Sequence, residues 1–528
     1  MKQFYFPLFI FLLAFGLRAQ TTHTVFTKLD NGSANSLRSK ILFAQSGDII
    51  RFSPNLLSGN DDTIHLTQGA LLIDKTLTIK GLYNGSDSLV ISGERNKRVF
   101  NTNGIAASDV VILDSLVIAK GYASNGFGGG IYHRNGKLII RNSKVASNEA
   151  NGITISHGGG IYADASQLEI WDSKISNNLA TPSGMGLNQA HGGGIYADST
   201  LVLIYNSTIN HNSVANYYRG NAYGGGVFSR SEVRMYNSNL VNNNCILSES
   251  VIATASYWTG GGGIFGLEDI TMSKCLVDGN KVITLAPDDC YAHGGGIYSG
   301  RLVNLDSTHV QNNSTYTKSG SGGEAESMGG GIYAKSLNML NSFVLKNQNI
   351  SNSTIISRAK GGGIALQRNG NSMVRGSIIS DNKTIDSSNG YAHGGGVYID
   401  RNSSFTLDQS VLSKNEVKSG ESIWVFSNPA AAGGGLYSDY NTTILVKRST
   451  VSENIVSAIH FDAPAKGGGL YCENQLTVEN STINSNHLFS NTEAYGGGIY
   501  MPVNQSKRLY ITSSTVAFKV LLLLKIQQ

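Results

Sequence analysis

The chain has 528 residues, 63 of them glycine and only 7 proline; 15% are charged and the formal net charge is +5. That charge is too weak and too dilute to argue for a nucleic acid or a membrane surface as partner, and 4 cysteines in this length exclude a disulfide scaffold. Length alone predicts several domains, unless an internal repeat makes one long solenoid.

In chain order, Lys2, the apolar run Phe4–Leu17 and then Ala19 read as a secretory signal peptide over residues 1–19. The run is shorter than the roughly 20 residues a bilayer span needs, so the mature chain is expected to carry no transmembrane helix. Residues 20–104 are predicted to hold an N-terminal cap and the first coils. Within "NSLRSKILFAQSGDIIRF" (Asn35–Phe52), Asn35 or Ser36 suits a helix N-cap, Leu37, Ile41 and Leu42 share a face, and Gly47 suits the end. Coils are expected to begin near residue 48.

From 105 to 518 a glycine motif, GGG followed by an aliphatic residue and usually an aromatic one, occurs twelve times, with its last glycine at Gly130, Gly160 and onward to Gly498. The mean spacing is about 33 residues, a solenoid period. A second motif follows each copy: Φ-x-Φ-x-[N/D]-S-x-Φ-x-x-N, as in "LEIWDSKISNN" (Leu168–Asn178), where Φ is aliphatic. The distance from last glycine to closing asparagine is 16–19 residues, whereas the return to the next glycine varies from 12 to 20. One part of the unit is therefore rigid and the other is predicted to be a variable loop on one side. Aliphatic residues alternate with polar ones in the rigid part, the strand period, and the alternation slips by one at [N/D]-S, which places a corner there. Three short strands per coil are predicted. Helical repeats are disfavoured, because no segment holds the 3.6-residue period and glycine is costly in a helix. The fold class is all-β, a parallel β-helix of about 33 residues per coil and roughly 70 Å long at the usual strand spacing. Stacked aromatics and an asparagine ladder are expected to tie coil to coil. After "SSTVAF", Lys519 stands where asparagine belongs and "VLLLLKIQQ" follows; residues 519–528 read as an aberrant, truncated or frame-shifted end.

GGG-[I/L/V]-Y followed by N-S-x-[I/L/V]-x-x-N resembles the repeats of polymorphic outer-membrane proteins and adhesin-like right-handed β-helix proteins, over roughly residues 105–518. "SLRSKILFAQSGDIIRF" is similar to the opening segment of such secreted proteins. The resemblance implies a right-handed, pectate-lyase-like solenoid at the cell surface or secreted, often in adhesion. It also implies a C-terminal translocator or sorting domain, of which this sequence shows none.

Three groups are candidate sites. The row Arg134, Asp164, Asp198, Arg230 loosely resembles the acidic and basic clusters of β-helix polysaccharide lyases; the simpler reading is a solvated turn with ion pairs between coils. His157 and His191 lie in register on adjacent coils, but seven residues of extended strand separate His157 from Asp164, so a structural role is expected. Trp171, Tyr205 and Tyr236 share an outward position on three successive coils next to Arg141, in a column that is otherwise mostly polar. They are predicted to form an exposed aromatic strip for sugar rings or a protein partner. Trp258 and Trp424, in the two longest loops, join them as ligand-binding candidates. No GxSxG, HExxH, P-loop or calcium nonapeptide occurs, so no catalytic residue, metal or cofactor is assigned. Cys275 occupies a small-residue column and reads as a buried thiol. The expected function is that of a secreted or cell-surface, adhesin-like protein binding an extracellular glycan or protein. The alternatives are a polysaccharide lyase or glycoside hydrolase, and a structural envelope component.

Overall fold

The computed structural model describes residues 20–57, 61–82, 88–248, 256–320, 322–388, 390–420, 430–459, 464–502, 507–517 and 521–522. The signal-peptide segment 1–19, Trp424, and residues 518–520 and 523–528 of the atypical end lie outside the described residues. The described chain is a parallel β-solenoid with one α-helix, Leu37–Phe43, and a single 3-10 turn, Pro54–Leu57.

One coil shows the unit. Its strands are Ile161–Asp164, Gln167–Trp171, Lys174–Ser176, Leu179–Ala180 and Asn188–His191. The first two belong to a broad 28-stranded sheet, the third to a 15-stranded flank sheet, and the last two to sheets of 13 and 11 strands. Neighbouring coils pair in parallel and in register, so that Ile170 stands between Ile140 and Ile204. Side chains of the aliphatic columns, such as Ile140, Ile170, Ile204 and Met235, are fully buried in one continuous core.

The predicted variable loop is a correction. It contains two of the five strands in most coils, and the two smaller sheets pack on each other as a fin that stands off the rod. The fin has cores of its own, one of them built from Ala190, Val214, Ala222, Cys245, Val282, Cys290 and Ala292, another from Ala359, Ala392, Val417, Ala431 and Val456. Polar side chains also bridge its layers: Asn349 Nδ2 donates to Ser327 O at 2.7 Å and Ser351 Oγ to Ala325 O at 2.9 Å. Alanine, serine, threonine and cysteine fill many of the buried positions, beside a few larger apolar residues. These residues carry little of the aliphatic signal by which strands are recognised in sequence.

The start of the chain also differs in detail. Ser36 caps the helix and accepts a hydrogen bond from Ser39 N, and Leu37 and Ile41 are buried. Leu42 is turned outward, 68% exposed, and Ser39 takes the inward place. The helix ends at Phe43, capped by Ala44, and Gly47 sits in the turn before Ile49 with φ +91°. The strand Thr22–Val25 precedes the helix and pairs with Ile49–Phe52, so the first rung begins well before residue 48.

The repeat motif is accounted for by backbone satisfaction at the corners. The residue before the motif serine is left-handed, with φ 47° at Asp172 and 48° at Asn206, a conformation that asparagine and aspartate tolerate better than most. The serine hydroxyl accepts the N–H of the serine one coil back, as in Ser143 N to Ser173 Oγ at 3.0 Å and Ser173 N to Ser207 Oγ at 3.0 Å. The closing asparagine does the same at the next corner. Asn178 Oδ1 accepts from both the N–H and the Nδ2 of Asn148 at 3.0 Å, while Asn178 Nδ2 donates to Val145 O at 3.0 Å and to Asn212 Oδ1 at 2.9 Å. All eleven asparagines, from Asn148 to Asn486, join this ladder.

The three glycines have separate reasons. Gly158 has φ +68°, where a side chain is strained. A Cβ on Gly159 would lie 2.3 Å from Leu179 O, and one on Gly160 would lie 2.7 Å from Gly194 O and 2.9 Å from Asn178 Cγ. The glycines let the chain pass beneath the asparagine ladder.

Replacing Asn313 by alanine removes the acceptor for the N–H and Nδ2 of Asn280 and one donor to Asn347. Buried polar groups left without partners cost about 1–3 kcal/mol each. Urea unfolding of Asn313→Ala is expected to show a loss in that range, against a change under about 0.5 kcal/mol for the exposed Lys418→Ala.

Candidate ligand-binding face

The outer surface of the broad sheet is read column by column, because each coil adds one residue to each column. The column of interest runs Arg141, Trp171, Tyr205, Tyr236, Ser273, Asp306, Leu340, Arg375, Asp408. The structure brings Trp171, Tyr205 and Tyr236 together as a stacked ladder. The ring centroids of Trp171 and Tyr205 are 3.9 Å apart, those of Tyr205 and Tyr236 5.1 Å, with 12° between planes in both pairs.

The strip is partly covered rather than fully exposed. The rings lie against one another along the rod, so they show solvent their edges and cover one another's faces. Trp171 Nε1 donates to Glu169 Oε2 at 3.1 Å, and Lys137 Nζ pairs with Glu169 Oε1 at 2.7 Å. Arg141, below the ladder, pairs with Asp114 at 3.2 Å.

Beyond Tyr236 the column drops from an aromatic ring to Ser273. A shallow trough of about 390 Å³ runs from Ser273 onward, lined by Ser273, Asn304, Asn338, Leu340, Met373 and Arg375 among others, with a mostly apolar exposed lining. Leu340 and Met373 are 44% and 48% exposed. Asn338 Nδ2 donates to Asn304 Oδ1 at 3.2 Å. Sequence reasoning missed this site because a trough consists of short side chains between long ones; the change from Tyr236 to Ser273 in one column was the available signal.

Trp258 is in a strand, Tyr257–Gly260, and not in a loop. It lies on the fin, 40% exposed, and stacks on Tyr291 at 4.2 Å. It belongs to a different sheet from the ladder, and the structure does not join the two. The fin also exposes Ile153 (72%), Met185 (84%) and Leu187 (74%) on two adjacent coils.

The charged row resolves into ion pairs between coils. Arg134 meets Asp164 and Arg230 meets Asp198, each at 3.4 Å, exposed pairs of small energetic weight. The same column acquires three carboxylates further along, Asp400, Asp439 and Glu473, on successive coils in the register of Tyr398, Tyr437 and Tyr471. Burial, and then the like charge of Asp400, hold the Asp439 carboxyl above the usual carboxylate range, while Glu473 pairs with Lys507 at 2.9 Å.

His157 and His191 are structural. They stack on each other at 4.8 Å, His157 on Tyr196 at 4.2 Å and His191 on Phe228 at 4.7 Å, in the seam where the fin meets the rod. Burial pushes the His157 imidazole down to about 3 and His191 well below its ordinary value, so both are neutral aromatic rings. The aromatic column, broken at Ala365, is completed by the fin: Lys360 Nζ lies 5.5 Å from the centre of the Tyr398 ring and pairs with Glu326 at 2.9 Å. Cys275 substitutes for serine in the corner ladder, donating to Ser273 O at 3.3 Å, and burial pushes its thiol up to about 11. All four cysteines are buried and unpaired with one another. Among the described residues no group of three or more His, Cys, Asp or Glu side chains is placed to hold a metal, and no helix is long and apolar enough to cross a membrane.

The folded-state value of His157 lies below that of the unfolded chain, so on acidification the unfolded chain takes up the proton first. Its contribution is neutral above about pH 6.5 and becomes destabilising as pH falls toward 3, by roughly 2 kcal/mol at pH 5. Thermal melts of His157→Phe are expected to match the parent near pH 7 and to show a smaller loss of Tm at pH 5. Equal acid sensitivity would mean that His157 is protonated in the fold.

Compared with known protein families, with curated proteins and with solved structures, the chain has no match.

Proposed function

We propose that the protein is a secreted or cell-surface β-solenoid of adhesin type that binds an extracellular glycan or protein through an outer face. The observation that carries this reading is the Trp171–Tyr205–Tyr236 ladder, half-buried in a column that elsewhere is mostly polar. A rod core has no need of aromatic residues there, because the aliphatic columns beneath already fill it. Aromatic side chains bordered by polar groups are frequent on surfaces that bind sugars and protein partners. The signal-like N-terminus supports secretion, and the apolar residues on the fin suit contact with another protein.

A second reading is favoured by one observation. Asp400 and Asp439 are carboxylates on adjacent coils, and burial, then the like charge of Asp400, raises the Asp439 carboxyl above its ordinary value. A carboxylic acid beside a carboxylate is the arrangement by which glycosidic bonds are cleaved. On this reading Asp439 is the proton donor.

One experiment separates the two. The chain from Gln20 is offered hydroxyethylcellulose, xyloglucan, galactomannan and polygalacturonate, with and without Ca²⁺, and retention and new chain ends are recorded together. Retention without new ends is expected, with a loss of roughly tenfold or more in affinity for the double variant Trp171→Ala/Tyr205→Ala. New ends that vanish in Asp439→Asn would replace the binding reading with the enzymatic one.

A further inference from the structure

We infer that Asp386 is an acid-operated fastening of the fin: protonated, it lies quietly between the two layers; ionised, it places an unpaired charge between them and loosens the strands around it.

Asp386 ends the strand Lys383–Asp386 and is 1% exposed. Its column runs Thr284, Thr317, Ser351, Asp386 and then, one position beyond the Ile385–Lys418 pair, Ser419 and Ala458. Every other member of that row is small and uncharged, so the frame does not ask for a carboxyl there. One coil back the fin is tied by hydroxyls: Thr317 Oγ1 donates to Ser351 Oγ at 3.1 Å and Ser351 Oγ to Ala325 O at 2.9 Å. Asp386 has no such tie. Its Oδ1 accepts the N–H of Ser388 at 3.1 Å, in its own turn. Its Oδ2 is buried and has no hydrogen-bond partner among the described residues. The same is true of the hydroxyl of Ser419 and of the hydroxyl of Ser357, which faces Asp386 from the other layer.

No cation compensates the carboxyl. Four strands pack against it: Gln348–Asn352, Glu416–Ser419, Ile356–Lys360 and Gly390–His393. The first carries no charged residue. On the others, Glu416 and Lys418, Arg358 and Lys360, and Tyr391 and His393 alternate to the outer faces, leaving Val417, Ala359 and Ala392 inward as part of a shared core. Glu416 is paired with Lys383 at 2.9 Å, Lys360 with Glu326 at 2.9 Å, and Arg358 with Glu324 at 2.5 Å, while His393 stacks on Tyr437 at 4.1 Å. A buried carboxylate without a partner is costly, and the neutral acid is the form that the interior accepts. Burial pushes the Asp386 carboxyl up to about 6, against the pull of the Ser357 hydroxyl and the N–H groups of Ser388 and Gly390.

The sign follows from linkage. The folded-state value lies above the ordinary one, so the opened fin gives up its proton first as pH rises. The fastening is complete in acid and is lost as pH climbs from the ordinary carboxylate value through about 6. The strand that bears Ser357 ends at Lys360, whose Nζ lies 5.5 Å from the centre of the Tyr398 ring on the rod. Loosening at Asp386 is therefore passed to the fin's hold on the rod. This inference is independent of what the outer face binds.

Hydrogen exchange on the chain from Gln20 tests it, at about pH 4.5 and about pH 7.5, with the intrinsic exchange rates divided out. In the parent, protection of the amides in Ile356–Lys360, Lys383–Asp386 and Glu416–Ser419 is expected to fall roughly tenfold or more from the lower to the higher pH. In Asp386→Asn that fall is expected to vanish. Asp386→Ser, which matches the rest of the column, is the second variant should the first fail to fold. The rod strand Gln167–Trp171 is the internal control and should behave alike in all three proteins. Protection in the parent that does not fall with pH would overturn the inference. So would a fall of equal size in the variants, or one that the rod strand shares in full.

Discussion

The rest of the structure depends on one constraint: at each corner of a coil the backbone N–H turned toward the next coil meets no strand partner, and a side chain from that coil must accept it. Asn178 does this for Asn148, and Ser173 for Ser143. The partner is always one full coil away, so the constraint couples residues about 33 positions apart and recurs at every rung. It explains why the asparagine column tolerates no substitution over eleven coils, why glycines must lie beneath it, and why the length between glycine and asparagine hardly varies. A coil that failed to present its amide would leave the preceding coil with buried unsatisfied groups, so register is specified locally at each step.

Against this uniform frame, columns that change character are informative. The aliphatic, serine and asparagine columns are nearly constant, and they build the rod. The outer column that begins at Arg141 moves from charge to aromatic to hydroxyl to carboxylate within a few coils, with no requirement of the frame to do so. The column of Asp164 changes likewise, from ion pairs through Leu267, Gly300, Lys335 and Gln367 to Asp400, Asp439 and Glu473. Both lie on the same broad sheet, where a flat, regular scaffold can carry a gradient of chemistry along its length.

How far the sequence disclosed this follows from the same distinction. The rod was readable because its buried residues are large, alternate with period 2, and repeat. The asparagine ladder was readable because its column is invariant. The fin was not, because its strands range from Leu179–Ala180 to Lys281–Ala286 and its interior uses Ala190, Ala222, Ser351 and Thr284, residues equally at home in loops. His157 and His191 were placed correctly in adjacent coils, but only the packing shows them as members of an aromatic seam between fin and rod. Trp171, Tyr205 and Tyr236 are legible as a column; that their faces are mutually occupied depends on ring orientation, which no spacing conveys.

The direction of the hydrogen bonds has a mechanical consequence. The chain runs around the rod, whereas the bonds between coils, backbone and asparagine ladder alike, run along it. A force that lifts a terminal coil away therefore meets those bonds one after another as the coil unwinds, and the rod is weakest against peeling from its ends. A force applied sideways to the broad sheet meets many strands together. A ligand lying along several coils spreads its load over that sheet and presses the coils it spans into one unit. A surface tether is served better by such an attachment than by contact with a single rung.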